Sequence, residues 1–328
     1  MSLKVGGLFS GVGGIELGFQ KAGFEIAWAN EIDKYACITY RNNFNHNLFE
    51  EDIHKLKGKN LESVDVLTAG FPCQAFSLAG HRKGFKDRRG NLFFEIMRII
   101  DELKEKPKVL FLENVKNLKS HDQGKTFKKI ANVIQNEYGY SFFSSVLNTA
   151  EYTKIPQNRE RTFIVAFRDE AKWQDSSSKS LSEKFFNTFP PKKILKPNLI
   201  NQYLQKKEAD EVFFYRKDKY NYKELKKAMN SEDTLYQWRR VYVRENKKNL
   251  CPTLTANMGT GGHNVPLILT DKEIRKLTPR ECFSFQGFPK SFKLPSKVSN
   301  TQLYKQAGNS VSVPLITKLA KIIKNVIN

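Results

Sequence analysis

The segment Gly70–Gly80, GFPCQAFSLAG, sets Cys73 directly after a run of strand-forming residues. A thiol in a loop at the carboxyl edge of a sheet lies where α/β proteins gather their ligands, and as a thiolate it can act as a nucleophile. Pro72 stiffens the approach to it, and the following GHRKGFKDRRGN is a basic loop able to close over a polyanion. At the next strand end, FLENV carries Glu113, whose pKa would rise in a dry pocket and make it a proton donor. QNRERTF then adds Arg159 and Arg161, alternate residues entering a strand and therefore facing one side. A nucleophile, an acid and cations able to neutralise developing charge follow one another along the chain.

A second set of residues suits a nucleotide-like ligand. LFSGVGG, Leu8–Gly14, reads as a turn from strand to helix, in which Gly11, Gly13 and Gly14 permit close approach of the backbone to the ligand. Glu31 ends the second strand, where a carboxylate can accept both ribose hydroxyls, and Asp52 follows the third segment, where it can accept from an adenine amine. These three features in this order describe an adenosyl ligand.

The elements that must position these groups follow from periodicity. Strands are expected at Lys4–Phe9, Glu25–Asn30, Val64–Ala69, Val109–Leu112, Ser141–Leu147 and Arg161–Phe167, with helical spacing at Asn91–Lys104 and Thr126–Tyr138. That alternation predicts an α/β fold, an open and mostly parallel sheet flanked by helices. From about Trp173 the texture changes to DSSSKS, PPKKILKP and a Lys/Tyr/Asn-rich tract, a linker into a smaller irregular domain. Val311–Ile327 is apolar at helical spacing after a Gly308–Asn309 turn, so a closing helix is expected to pack back on the first domain. The expected boundaries are 1–184, 185–300 and 301–328.

The 328 residues carry 55 Lys and Arg against 34 Asp and Glu, a net charge of +21, and the pI is near 9.7. That positive field makes nucleic acid the leading partner. No apolar run approaches the roughly 18–20 residues of a spanning helix, which excludes membrane insertion by that route. The start, MSLKVGGLFSGVGG, has no basic stretch followed by an apolar run, so a cytoplasmic protein is expected. Cys37, Cys73, Cys251 and Cys282 are scattered without a CxxC pair, against a zinc site or a disulfide framework.

In order and spacing, FSGVGG, PCQ, ENV, QNRER, RECFSFQGFP and YKQAGNSV resemble the motifs of the cytosine-C5 DNA methyltransferase family, and they span Phe9 to Val311. The resemblance implies a Rossmann-like catalytic domain that uses S-adenosylmethionine, with a smaller, irregular, mostly β target-recognition domain. It implies that Phe9 packs on the adenine ring, that Glu31 holds the ribose and Asp52 the adenine amine, and that Leu92 and Asn309 lie at the cofactor. Gly11, Gly13, Gly14, Ile32, Ile53 and Pro72 complete the implied cofactor site. Cys73, Glu113, Arg159 and Arg161 form the implied catalytic set. Ile32 departs from an aromatic residue found in some relatives, and Ala79 from a serine often seen in the catalytic loop.

The resemblance also implies double-stranded DNA as partner, a monomer on that DNA, and pairing with a restriction endonuclease. Gln74, Arg82 and Lys83 are the implied DNA contacts of the catalytic loop. In the recognition region, YQWRRVYVRENKKNLCPTLTANMGTGGHNVP resembles methylases that read GCNGC. It supplies Arg239, Arg240 and Arg244 as candidate base readers, and Thr253 matches a threonine that meets backbone near a flipped base. The competing expectations are a tRNA cytosine methyltransferase and a relative that binds DNA without turnover. The length of the recognition region argues against the first, and intact Cys73, Glu113 and Arg161 argue against the second.

Overall fold

Continuous apolar runs make strands that need cover on both faces, and here they form the middle of a sheet. Val5, Leu8, Val66, Leu67, Ala69 and Val109–Leu112 are all buried. The computed structural model describes residues 2–72, 92–168, 185, 199–205, 209–218, 221–239, 241–260, 265–271 and 273–327. The elements of the first layer are β1 (Lys4–Leu8), α1 (Gly14–Lys21), β2 (Glu25–Asn30), α2 (Lys34–Arg41), β3 (Asn47–Phe49), β4 (Val66–Gly70), α3 (Leu92–Glu102), β5 (Val109–Val115), α4 (Lys125–Asn132), β6 (Tyr140–Asn148), α5 (Thr149–Tyr152) and β7 (Glu160–Arg168). The seven strands are ordered β3-β2-β1-β4-β5-β7-β6. Pairing is parallel from β3 to β5, and β7 runs antiparallel to both β5 and β6. The order reverses direction between β1 and β4, and that switch point opens a crevice at the strands' carboxyl ends.

A second, four-stranded antiparallel sheet is ordered β11-β10-β8-β9. It follows helix α6 (Tyr222–Ala228) and comprises β8 (Tyr236–Arg239), β9 (Tyr242–Glu245), β10 (Leu267–Leu269) and β11 (Ile274–Lys276). Tyr236, Trp238, Leu267 and Ile274 bury one of its faces against Tyr215, Tyr222, Leu225 and Met229. The chain then returns through α7 (Pro279–Phe285), α8 (Asn300–Asn309) and α9 (Val313–Ile327). Helix α7 begins with a capping box between Thr278 and Glu281. Glu281 also receives both ends of the Arg275 guanidinium at 2.8 Å, a buried bidentate pair that fixes β11 to α7.

The closing helix packs as expected: Leu315, Ile316, Leu319, Ala320 and Ile323 of α9 are buried against Val5, Ile15 and Phe19. Each buried leucine or isoleucine of this face contributes about 1.5–3 kcal/mol. The turn expected before it is different, because Gly308 and Asn309 are the last residues of α8. Strand β3, three residues long, gave no periodic signal, and the helix expected over Thr126–Tyr138 ends at Asn132 and continues as a π-helical turn, Val133–Glu137. Strand β5 is longer than expected. It carries Glu113 and Asn114 within the ladder, opposite Phe163 and Thr162 of β7. The linker read over 173–198 lies outside the described residues except for Phe185, which is buried at 5.0 Å from Phe143 and 5.6 Å from Phe167.

Candidate active site

Beyond β1 the backbone turns sharply. Phe9 has φ 56, a left-handed conformation that costs a non-glycine residue on the order of 1–3 kcal/mol and that clusters at functional sites. The turn continues through Gly11 and Gly13, and at Gly13 (φ 85) an added Cβ would lie 2.3 Å from the Phe44 ring. Gly13 is therefore packed against Phe44, just beyond α2, and shapes the loop. Glu31 pins the same loop. Its carboxylate accepts from Gly11 N at 2.7 Å, Ile32 N at 2.8 Å and Asp33 N at 2.7 Å. A carboxylate offers about four acceptor positions, so capacity for a hydroxyl remains.

These residues wall a cavity of about 500 Å³. Phe9, Gly11, Gly14, Glu31, Ile32, Asp52, Ile53, Pro72, Leu92 and Asn309 all line it, together with Glu113, Arg159 and Arg161. Ile32 is 64 % exposed and offers an apolar surface at its mouth. Asp52 accepts from His54 N at 3.0 Å and from His54 Nδ1 at 2.7 Å, both on Oδ1. These contacts hold its carboxyl below the usual range and orient it, a part for His54 that the sequence did not suggest. Sequence reasoning also missed Ser10, Gln306 and Ser310. Gln306 Nε2 and Ser310 Oγ are buried side-chain atoms with no hydrogen-bond partner among the described residues, the Ser10 hydroxyl faces the Glu16 carboxyl, and all three residues line the cavity. Their only signal was membership of the motifs FSGVGG and QAGNS.

At the other end of the cavity, β5 and β7 place Glu113 beside Arg161, with Arg161 Nε 3.2 Å from Glu113 Oε1. Burial pushes the Glu113 carboxyl above its ordinary pKa, although Arg161 and then Arg159 pull it down. A carboxyl kept protonated in a dry pocket is a hydrogen-bond and proton donor. Asn114 holds the wall by donating from Nδ2 to Phe71 O at 2.7 Å. Arg159 is different from Arg161: its guanidinium bonds backbone carbonyls of Leu254, Gly308 and Ser310.

Cys73, Gln74, Arg82, Lys83 and Arg240 lie outside the described residues. The other three thiols are buried and free. Burial pushes Cys37 up to about 12 and raises Cys251 and Cys282, which makes all three poor nucleophiles. Thr253 Oγ1 donates to Asn158 O at 2.6 Å, just before Arg159. On the β8–β9 hairpin, Arg239 pairs with Tyr242 and Gln237 with Arg244, so these four share the face opposite Trp238 and Val243. Arg239, Tyr242 and Arg244 are exposed.

The C-5 cytosine-specific DNA methylase profile matches residues 3–325. The Type II methyltransferase M.Bsp6I of Bacillus sp. (strain RFL6) is 51% identical over 97% of this chain and 98% of its own length. M.HhaI of Haemophilus parahaemolyticus, also a Type II methyltransferase, is 38% identical over 98% of this chain and 94% of its own. The crystal structure of S. pombe Dnmt2 methyltransferase superposes with a TM-score of 0.75 over all of both chains at 18% identity, a likeness of fold. The chain belongs to the C-5 cytosine-specific DNA methylase family. It is an enzyme, a DNA (cytosine-5-)-methyltransferase.

One buried acid stands apart from this chemistry. Glu16, in the first turn of α1, is 1 % exposed, and its Oε2 has no hydrogen-bond partner among the described residues. Burial raises its pKa from the usual 4.5 to about 7. A raised folded-state pKa gives stability that is present in full below the unfolded value and lost as pH rises through the folded one. Glu16→Gln is therefore expected to stabilise the protein above pH 7 by on the order of 3 kcal/mol, with the gain fading toward pH 4. Urea unfolding at pH 8 and at pH 4.5 checks this; an equal effect at both values would contradict it.

Proposed function

We propose that the enzyme transfers a methyl group from S-adenosylmethionine to C5 of a flipped-out cytosine in a short duplex DNA site, through a covalent bond between Cys73 and C6. The observation that carries this reading is the single cavity, with a pinned carboxylate, Glu31, at one end and a buried acid, Glu113, beside Arg161 at the other. Its residues fit the cofactor. Glu31 and Asp52 offer acceptors to ribose and adenine, Ile32 and Leu92 offer apolar cover, and the buried polar atoms of Gln306 and Ser310, with no partner among the described residues, suit the polar end of its methionine part. When bound, it supplies a methyl group on a sulfonium.

The residues do the rest. Cytosine C5 is a poor nucleophile until a thiolate adds at C6 and turns the ring into an enamine. Cys73 forms that bond, while protonated Glu113 gives its proton to N3 and Arg161 faces the charge near O2. After methylation, loss of the C5 proton to a base expels the Cys73 thiolate, and the N3 proton returns to Glu113. The base must leave the stack for C6 to be reached, at a cost of a few kcal/mol. The net charge of +21 favours the phosphate contacts that offset this cost.

The outer face of the β8–β9 hairpin, with Arg239, Tyr242 and Arg244, together with Thr253 and the catalytic-loop residues Gln74, Arg82 and Lys83, forms the proposed DNA interface. The segment 185–300 is read as the target-recognition region between the catalytic residues 1–184 and the returning segment 301–328. The proposed site is GCNGC, bound by a monomer, and methylation there protects DNA from a cognate endonuclease. Bisulfite sequencing of a plasmid exposed to the protein and S-adenosylmethionine tests the reading. Cytosines protected from conversion at GCNGC are expected. Protection at another motif would overturn the site alone, and tritiated methyl incorporated into tRNA but not DNA would overturn the substrate.

A further inference from the structure

Arg159 is 2 % exposed, yet it spends its guanidinium on main-chain oxygens from two distant segments. Nη1 donates to Leu254 O at 3.0 Å, and Nη2 donates to Gly308 O at 3.3 Å and to Ser310 O. Burial lowers its pKa to about 9, so the group is still a cation at neutral pH. Gly308 lies in the last turn of α8, Ser310 follows it, and both line the cavity. Leu254 belongs to the connection between β9 and β10 of the second sheet. That segment is tied to the residues preceding Arg159, through Asn158 N to Cys251 O at 2.8 Å and Cys251 N to Pro156 O at 2.6 Å.

The two carbonyl-bearing segments are also in direct contact. A Cβ on Gly308 would lie 2.2 Å from the carbonyl carbon and oxygen of Thr255, so α8 touches the recognition segment backbone to backbone. A shift at either one must therefore move the other or break its bonds to Arg159. The rigid fork of a guanidinium donates from separate Nη atoms and so reaches carbonyls set apart from one another, whereas the three donors of a lysine ammonium all leave one atom.

We infer that Arg159 is a positioning residue that couples the cofactor cavity to the DNA-recognition segment, and that it does not touch the base. The inference rests on the methyltransferase reading above. Cofactor ordering Asn309 and Ser310 fixes Arg159, which fixes Leu254; DNA ordering Thr253 and Leu254 acts through the same link in reverse. Because linkage is reciprocal, each ligand then tightens the other by one common factor.

The test measures the dissociation constant of a duplex carrying the site found by bisulfite sequencing, with and without saturating S-adenosylhomocysteine. For the unmodified protein, S-adenosylhomocysteine is expected to tighten DNA binding by about five- to 150-fold, the ordinary span of such couplings. In Arg159→Lys the ratio is expected to fall below about twofold, whatever the separate affinities become. A ratio preserved in Arg159→Lys, or absent from the unmodified protein, overturns the inference. A second measurement needs no variant: S-adenosylhomocysteine alone is expected to slow amide exchange over 253–256, and unchanged exchange there overturns the coupling. A protein that methylates the plasmid while failing these tests loses only this inference. One that methylates nothing loses the proposed function with it.

Discussion

A duplex with 5-fluorocytosine at the target position is expected to be captured as an adduct that survives denaturing electrophoresis, requires S-adenosylmethionine and disappears in Cys73→Ala. Fluorine cannot leave C5 as a cation, so the elimination that frees the thiolate is blocked once the methyl is in place. The assignment to Cys73 is sharpened by the other cysteines. Cys37, with a pKa of about 12, is a thiolate in about one molecule in 10⁵ at pH 7, and Cys251 and Cys282 are buried and shifted the same way. Cys37→Ala, Cys251→Ala and Cys282→Ala should therefore still give the adduct. An adduct formed by Cys73→Ala would remove the nucleophile and the mechanism built on it.

The gathering of Phe9, Glu31, Asp52 and Glu113 at one cavity was legible in the sequence because they stand at or near the carboxyl ends of strands, where α/β folds open a crevice. What was not legible depends on contacts between distant segments. Nothing local shows that Arg159 bonds carbonyls 95 and 151 residues away, and the sequence placed it with Arg161 on spacing alone. Gly308 suggested a turn, whereas it is helical and lacks a Cβ because Thr255 occupies that space. Nor does anything local show that Gly13 lacks a Cβ because the Phe44 ring occupies that space. The division of the core was also hidden. Val12, Ala29 and Tyr40 share one apolar cluster with Leu254, Met258, Phe283 and Phe285, so residues read as belonging to separate regions are buried together.

Glu113→Gln is expected to slow methyl transfer by about two to four orders of magnitude, the usual contribution of a positioned acid. Glutamine keeps the shape and can still donate a hydrogen bond from its amide, but it has no acidic proton to give to N3. The loss should appear in kcat, with S-adenosylhomocysteine affinity nearly unchanged, since Glu31 and Asp52 line the cavity apart from it. The pH dependence carries the sign of the argument. Burial raises the Glu113 pKa and the active form is protonated, so the rate should fall as pH rises through that value. Arg161, 3.2 Å away, opposes the shift by favouring the carboxylate. Arg161→Met should consequently move the alkaline limb to higher pH even as it lowers the maximal rate, and in Glu113→Gln that limb should vanish. Single-turnover rates from pH 6 to pH 10 distinguish these outcomes. A Glu113→Gln enzyme within tenfold of the unmodified rate, or one that keeps the alkaline limb, would mean that the proton reaching N3 comes from another group.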